Sequence, residues 1–543
     1  MTNQDNVVLC QFISPNEDTT AAGATKEKLP DSLRKCCPAC AWKQEQMVMA
    51  EQKKSATNAE KVLQGVADRI LAPSSPDEGL VKEVTSPLTE RQIRYGSILS
   101  HAIQCKTVSY DEPKRNNQKY PELLKLHRIL EQSFPIVYEQ HPPEVINEYS
   151  LLFRIQGESD DLPIMLCAHL DVVPASEDTQ ENTWEQDPFG GKIVNGIVWG
   201  RGAIDNKHNV VSQLAAVEEL LAAGLRPKRT TYISMGHDEE IFGDQGADKI
   251  AKVLAEENVK FEFILDEGTM CVLGALPGYA HPVALVGCAE KGFMNVELTV
   301  TGKGGHSSAP PIDAENENPI KIMSKAIYAL ESNPLPPHFQ KNSIFRNTLE
   351  YVANHMKKPL NVIFRNFWFF GPLFKKILLK ASNGAAASIK TTTAVTKVNG
   401  GLKFNAMPTE VKAFVNHRIH PNDSIEKVLE HDRKVINDKR VRIELMDGSI
   451  GPSPISSHKT GGFKAIQAAV KTVLGYISTP SLCIGNTDTR CYWDFSENIY
   501  RFSPVPLTMK ETTMFHGYNE RIGVDALENM VDFYKTLLRS DEY

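Results

Sequence analysis

The segment Leu162–Asp171, LPIMLCAHLD, begins with an apolar run and ends in a histidine and an aspartate two residues apart. A short continuous apolar run is typical of a strand that is buried on both faces of a sheet. Such a strand can end in a solvated loop, where a charged residue has no further role. The alternative is that His169 and Asp171 belong to a functional site at the end of the strand.

Two similar runs follow along the chain, TTYISMGHD at 230–238 and FEFILDEG at 261–268, and helical patterns separate them near 210–223 and 247–256. Alternation of buried strands with helices predicts an α/β domain with a largely parallel central sheet and helices on both faces. The helix near 461–475 and the strand-like segments after it are expected to complete this sheet.

The pattern changes at Lys291. From there to about residue 450 the order is strand, helix, strand, strand, helix, strand, which predicts a ferredoxin-like α+β domain inserted into the first domain. We therefore divide the chain into an irregular N-terminal appendage (1–86), the first part of the catalytic domain (87–290), an inserted lid or dimerisation domain (291–450), and the second part of the catalytic domain (451–543).

Composition excludes several classes of function. The chain has 543 residues and a formal net charge of −7, so its overall charge gives no basic footprint for nucleic acid or for an anionic membrane surface. The most apolar window, 359–380, is interrupted by Arg365, Lys375 and Lys376, which makes it a poor membrane span. The first residues lack the pattern of a signal peptide, so we expect a cytoplasmic protein.

Acidic and imidazole side chains follow the strand-like runs of the first domain. In open α/β sheets functional groups collect at the carboxyl ends of the strands, so these side chains are expected to meet in one crevice. So many carboxylates require a cation, and a mixture of carboxylates and imidazoles suits zinc and similar divalent ions. The candidate residues are His169, Asp171, Asp205, Glu239, Glu240, Asp266 and His516.

At this point the chain resembles a known family, the dinuclear zinc peptidases that include aminoacylase, succinyl-diaminopimelate desuccinylase and carboxypeptidase S. It is most similar to the branch that contains carboxypeptidase S and the animal N-fatty-acyl-amino-acid synthase/hydrolases. The similarity runs in the family's order from about residue 90 to the C-terminus, in the segments AHLDVVPA, WGRGAIDNK, GHDEE, LDEG, GKGGHSSAP, GNTDTR and HGYNE.

The resemblance implies two Zn²⁺ ions per chain, with Co²⁺ or Mn²⁺ as substitutes. It assigns His169, Asp205 and Asp266 to one ion, and Asp205, Glu240 and His516 to the other, so that Asp205 bridges them. Glu239 matches the general base of the family, and Asp171 would orient His169 from behind.

The resemblance also assigns substrate contacts to the inserted domain. His306 matches a histidine that reaches the scissile carbonyl of a partner subunit, which implies a homodimer formed through this domain; the alternative is an ordinary surface histidine. Asn405 and Arg418 match positions that bind the free carboxylate of the substrate. Arg490 either assists them or forms a structural ion pair.

These features favour a zinc hydrolase that cleaves the amide bond of N-acyl amino acids, or C-terminal peptide bonds, next to a free carboxylate. A dipeptidase and a non-catalytic binding protein on the same fold are the alternatives. The segment VIFRNFWFFGPLF at 362–374 has six aromatic residues. It either packs as ordinary core or lines the cleft, in which case the enzyme would favour long apolar acyl groups.

Overall fold

The structure is a computed structural model that describes residues 79–110, 120–176, 183–275, 279–313, 316–340, 343–356, 358, 360–366 and 383–543. Most of the predicted appendage, 1–86, lies outside these residues. Its last residues contact the domain that follows. Leu80 and Val81 donate backbone hydrogen bonds to the Glu511 carboxylate at 3.0 Å, and Val84 donates to Asn195 O at 2.9 Å.

The apolar run quoted first forms strand β3 (Ser159–His169), and it is buried on both faces. Ile164, Leu166 and Ala168 belong to one apolar core, and Met165 and Cys167 belong to another. Successive side chains of a strand point to opposite faces, so this strand separates two packed layers. The prediction of an α/β sheet covered on both sides is confirmed.

Ten strands form the large sheet. Besides β3, the strands are β1 (Glu144–Ile146), β2 (Ser150–Ile155), β6 (Arg229–Gly236), β7 (Ile264–Asp266), β8 (Cys271–Leu273), β9 (Val283–Glu290), β16 (Ile477–Cys483), β17 (Ile499–Arg501) and β18 (Pro506–Thr508). The order is β1-β2-β6-β3-β7-β17-β9-β8-β18, with β16 paired in parallel to β9. The centre is parallel, with β3 between β6 and β7, whereas β2 pairs antiparallel with β6 and β1 pairs antiparallel with β2.

Helices cover the two faces of this sheet. The core on one face is built mainly by α1 (Glu90–Gln104), α2 (Pro121–Ser133), α4 (Lys207–Ala222), α11 (Gly461–Leu474) and α12 (Val524–Leu538), and α5 (Ala247–Glu256) lies in the core of the other face. The short helix α3 (Pro135–Gln140) follows α2. A small antiparallel sheet joins β4 (Ile193–Val194), β5 (Ile197–Trp199) and β19 (Arg521–Gly523).

The inserted region contains β10 (Gly292–Thr301), α6 (Pro319–Ser332), β12 (Thr392–Gly400), β14 (Glu410–Ile419), α10 (Ile425–Ile436) and β15 (Val441–Leu445). Its four strands form a separate antiparallel sheet in the order β12-β14-β10-β15, which is the ferredoxin-like arrangement. The two helices share one core with the sheet. A two-residue strand β11 (Gly305–His306) pairs with β13 (Ala406–Met407) beside it.

The extra sequence of the inserted region packs against the large sheet. It forms α7 (Ile344–Ala353), α8 (Leu360–Arg365) and α9 (Asn383–Ala387). Thr348 Oγ1 donates to Pro480 O of β16 at 2.5 Å, and Phe364 is fully buried in a cluster with Val352 and Ile389. The rest of the aromatic segment, from residue 367, lies outside the described residues. Within the described part of the chain, no helix is long and apolar enough to cross a membrane.

Candidate metal centre

Two groups of side chains have the spacing of metal ligands. His169, Asp205 and Glu267 form one group, and Asp205, Glu240 and His516 form the other. Within each group the candidate ligand atoms all lie within 4.8 Å of one another. Asp205 belongs to both groups, so the arrangement is suited to two ions that share one carboxylate.

Three of these residues are positioned by the ends of parallel neighbouring strands. His169 is the last residue of β3, Glu240 lies in a short 3-10 helix after β6, and Glu267 directly follows β7. Since β6, β3 and β7 are adjacent and parallel, their carboxyl ends meet at one edge. The sheet topology therefore assembles ligands that lie far apart in the sequence.

Asp205 lies in the turn before α4, and its two oxygens face different histidines. Its Oδ1 is 3.1 Å from His169 Nε2, and its Oδ2 is 3.0 Å from His516 Nε2. The second histidine is also 3.2 Å from Glu240 Oε2. This is the geometry that a carboxylate needs to bridge two cations.

The carboxylate after β7 that faces this cluster is that of Glu267, whereas the family resemblance implied Asp266. Glu267 Oε1 is 3.3 Å from His169 Nε2. Asp266 Oδ1 instead accepts a hydrogen bond from the Glu267 backbone at 2.8 Å, and Asp266 is not a member of either ligand group. Adjacent residues at a strand end point in opposite directions, so only one of the two can face the crevice.

The charges of the site indicate that a cation belongs there. Burial raises the pKa of Glu267 to about 8 and also raises that of Glu240. Hydrogen bonds to Asp205 and Glu240 raise the pKa of His516 to about 10. Glu240 Oε1 is buried and has no hydrogen-bond partner among the described residues. A divalent ion would stabilise the ionised carboxylates and occupy this free acceptor, so the residues fit a metal.

Asp171 lies behind His169. The backbone oxygen of Asp171 is 3.0 Å from His169 Nδ1, and its Oδ1 is 3.3 Å from the same nitrogen. Its carboxylate also accepts the backbone N–H groups of Glu239 and Glu240, at 3.1 and 3.2 Å, and the hydroxyl of Ser109 at 2.7 Å. Asp171 thus favours the tautomer that leaves Nε2 free for a metal and also holds the loop after β6.

Glu239 is adjacent to the ligand group but is not a member of it. Its carboxylate is 3.5 Å from Arg490 Nη1, and Arg490 Nη2 is 3.5 Å from Asp488 Oδ1. Burial raises the pKa of Glu239 well above its usual range, and the Arg490 charge opposes this shift. Arg490 is therefore an ion-pair partner of the candidate base in this structure.

The remaining predicted residues lie in the inserted region. His306 and Asn405 are exposed in the paired segments that contain β11 and β13, where Ser307 N donates to Asn405 O at 3.1 Å. Arg418, on β14, donates from Nη1 to Asn486 Oδ1 at 2.6 Å and stacks over the Phe293 ring. None of the three belongs to either ligand group.

Sequence reasoning missed three residues of the centre besides Glu267. Ser109 binds Asp171, and Arg201 and Glu520 form a buried ion pair next to Asp205. Arg201 and Glu520 lie in the motifs WGRGAIDNK and HGYNE, so the motifs themselves were the available signal. Ser109 lies far upstream of these motifs and offered no signal.

A protein-family model described as Peptidase family M20/M25/M40 matches residues 165–540. The chain belongs to this peptidase family. Its N-fatty-acyl-amino acid synthase/hydrolase relative from Xenopus tropicalis is 37% identical over 470 residues, which cover 86% of this chain and 89% of that protein. The probable carboxypeptidase S-like 2 of Dictyostelium discoideum is 36% identical over 472 residues, covering 86% and 88%.

The fold is also shared with a solved structure of the family. An M20 family metallo-carboxypeptidase from Sulfolobus solfataricus matches with a TM-score of 0.59 and 17% identity, over 83% of this chain and 99% of that chain. The chain is thus a member of a metallopeptidase family, and the branch expected from its motifs is confirmed by its relatives.

Proposed function

We propose that this M20-family chain hydrolyses the amide bond of N-acyl amino acids, or C-terminal peptide bonds, next to a free carboxylate, with two Zn²⁺ ions. One observation carries the proposal: two ligand groups are joined through Asp205, and Glu239 directly precedes Glu240 of the second group. The two relatives of this chain named above are an N-fatty-acyl-amino acid synthase/hydrolase and a probable carboxypeptidase S-like protein.

His169, Asp205 and Glu267 would hold one ion, and Asp205, Glu240 and His516 the other, so Glu267 takes the position first assigned to Asp266. Two divalent ions held by these residues would supply polarisation of a substrate carbonyl and a lowered pKa for a water molecule.

Glu239 acts as the proton carrier in this proposal. Its carboxylate accepts a proton from the water that attacks the carbonyl carbon, and then donates that proton to the amine nitrogen as the C–N bond breaks. The products are a carboxylate and a free amino acid. Arg490, 3.5 Å away, favours the ionised form of the Glu239 carboxylate and so opposes the effect of burial on its pKa.

Arg418 and Asn405 are proposed to bind the free carboxylate of the substrate. Arg418 uses Nη1 for Asn486, and its other guanidinium donors remain suited to a carboxylate. Burial lowers the pKa of Arg418, and an anionic ligand would compensate for this cost.

His306 is proposed to reach the site of a partner subunit in a homodimer. Its Nδ1 is 3.2 Å from the Ser308 backbone N–H, an arrangement that favours a ring proton on Nε2. That proton is then available to a substrate oxygen that becomes negatively charged. The exposure of His306 is consistent with a role outside its own chain.

The test of the proposed function compares three substrates with purified protein and added Zn²⁺: an N-acyl amino acid, the same compound with its carboxylate amidated, and a dipeptide. Much faster turnover of the N-acyl amino acid than of its amide supports the proposal, whether or not the dipeptide is also cleaved, and turnover of the dipeptide alone would identify a dipeptidase instead. Arg418→Met should raise KM only for the free acid. Arg442→Met, at an exposed arginine of the same sheet, is the control and should leave KM unchanged.

We also propose that the enzyme favours long apolar acyl groups, because the segment 362–374 contains six aromatic residues and the Xenopus tropicalis relative is an N-fatty-acyl-amino acid synthase/hydrolase. The same amino acid carrying acetyl, octanoyl and oleoyl groups tests this preference. A buried methylene contributes up to about 0.8 kcal/mol, so kcat/KM should rise by orders of magnitude along the series. A flat or falling series would contradict an acyl pocket and leave a general aminoacylase or carboxypeptidase.

A further inference from the structure

Arg201 and Glu520 form a fully buried ion pair close to the metal centre. Arg201 Nη1 is 2.7 Å from Glu520 Oε2, and the two side chains are 1% and 0% exposed. Arg201 lies four residues before Asp205, and Glu520 lies four residues after His516. The pair therefore joins the two chain segments that carry these two ligands.

Glu520 holds the segment that carries Asp205. Its Oε1 accepts three backbone N–H groups, from Gly202 at 3.0 Å, Ile204 at 2.8 Å and Asp205 itself at 3.1 Å. A carboxylate with three backbone donors and one guanidinium uses nearly all of its acceptor capacity. The hydrogen bonds of Glu520 are thus directed at the turn that sets the position of the Asp205 backbone.

Arg201 holds the segment that carries His516. Its Nη2 donates to Gly517 O at 2.9 Å, one residue after His516. His516 has a φ of 56°, a left-handed conformation that is unfavourable for a residue other than glycine. Such a conformation persists only where surrounding contacts enforce it, and the Gly517 contact is one of these.

Antiparallel pairing aligns the two segments. Trp199 of β5 lies opposite Arg521 of β19, and Gly200 N donates to Glu520 O at 2.9 Å. The pairing sets the segments side by side, and the ion pair fixes them beyond the last strand residues. Asp205 Oδ2 and His516 Nε2 then lie 3.0 Å apart.

We propose that Arg201 and Glu520 are positioning residues that set the spacing of Asp205 and His516. They would thereby set the metal affinity of the ligand group formed by Asp205, Glu240 and His516. This inference rests on the metal centre of the proposed function. A buried ion pair is often no more stabilising than apolar residues of the same volume, so stability alone does not account for it. Loss of a group that orients metal ligands typically costs about 10- to 100-fold in metal affinity.

The test compares Glu520→Gln with Glu218→Gln in the full-length chain. Glu218 is a buried carboxylate that also accepts backbone N–H groups, from Ile136 at 3.2 Å and Val137 at 2.9 Å. It lies eleven residues into α4 from Lys207, which is about 16 Å along the helix axis. The matched change at Glu218 should lower the melting temperature without an effect on metal binding.

Zn²⁺ binding to the metal-depleted proteins is measured by calorimetry, with Co²⁺ absorption spectra as a second readout. We expect Glu520→Gln to weaken one of the two binding events by about 10- to 100-fold and to change the Co²⁺ spectrum. Arg201→Lys keeps the charge, but a single ammonium group cannot reproduce the separate contacts of Nη1 with Glu520 and of Nη2 with Gly517 O. This variant should therefore weaken the same Zn²⁺ binding event as Glu520→Gln.

Unchanged affinity for both ions in Glu520→Gln, or in Arg201→Lys if the first variant does not fold, would overturn the inference. An equal loss of affinity in Glu218→Gln would overturn it as well, because the effect would then reflect general destabilisation. Neither readout uses turnover. A wild-type protein that binds two ions but cleaves no N-acyl amino acid would contradict the proposed function alone.

Discussion

Replacing Asp171 by asparagine tests how the site is organised. The Asp171 side chain is fully buried, and its carboxylate accepts the backbone N–H groups of Glu239 and Glu240 and the Ser109 hydroxyl while facing His169. An asparagine has one acceptor oxygen and one NH₂ group. Whichever way the amide turns, its NH₂ group faces the backbone N–H of either Glu239 or Glu240.

The expected loss follows from these contacts. One hydrogen bond to a charged acceptor is worth about 1.5–3 kcal/mol, and a buried donor without a partner costs a further 1–3 kcal/mol or so. We expect roughly 3 kcal/mol of transition-state stabilisation to be lost through the loop that carries Glu239 and Glu240, which corresponds to about a 100-fold loss in kcat/KM. Metal affinity should also fall by about 10- to 100-fold, because His169 loses its orienting partner.

The assay measures kcat/KM on an N-acyl amino acid and Zn²⁺ affinity for the wild type, Asp171→Asn and Ser109→Ala. The serine variant is the control, since it removes one neutral hydrogen bond worth about 0.5–1.5 kcal/mol and should lose less than about tenfold. If Asp171→Asn retained kcat/KM within about threefold of the wild type while binding two ions, Asp171 would not organise the site.

Three further predictions concern Glu239, His306 and Lys291. Glu239→Gln should lower kcat by about 10²- to 10⁴-fold while metal content stays at two ions per chain; near-normal activity would remove Glu239 as the base. A mixture of inactive His306→Ala and Glu239→Gln chains should regain part of the activity, and mixed dimers without activity would show that His306 does not act across the interface. Burial lowers the pKa of Lys291 from 10.5 to about 7. Between these two pH values the folded state binds fewer protons than the unfolded state, so stability should rise with pH. The free energy of unfolding of the wild type, relative to that of Lys291→Met, should increase by up to about 5 kcal/mol as pH rises from 7 to 10.5. A difference that stays constant over this range in urea unfolding would contradict the prediction.

Much of the fold could be predicted because its signals are local. The apolar run before His169 marks a strand buried on both faces, and the strand and helix order after Lys291 marks the ferredoxin-like sheet. The antiparallel pairing of β2 with β6, and the packing of α7 on β16, depend on contacts between distant segments such as that of Thr348 with Pro480. No local pattern records such contacts.

Some residues of the candidate site could likewise be predicted from the sequence, whereas others could be found only from the structure. His169, Asp205, Glu240 and His516 were found because each follows a strand or lies in a motif, and the structure brings all four together. The choice between Asp266 and Glu267 depends on which side chain turns back to a backbone N–H, which two adjacent acidic residues do not reveal. Ser109, Arg201 and Glu520 act on other residues of the site, so their roles appear only in three dimensions.

The measurement that tests the central claim most directly is a Zn²⁺ titration of the metal-depleted protein, with kcat/KM for an N-acyl amino acid followed at each addition. Two ions sharing Asp205 predict no turnover without metal and a plateau at two equivalents per chain. Full turnover of the metal-free protein in the presence of a chelator, or a plateau at one equivalent, would contradict the two-metal account.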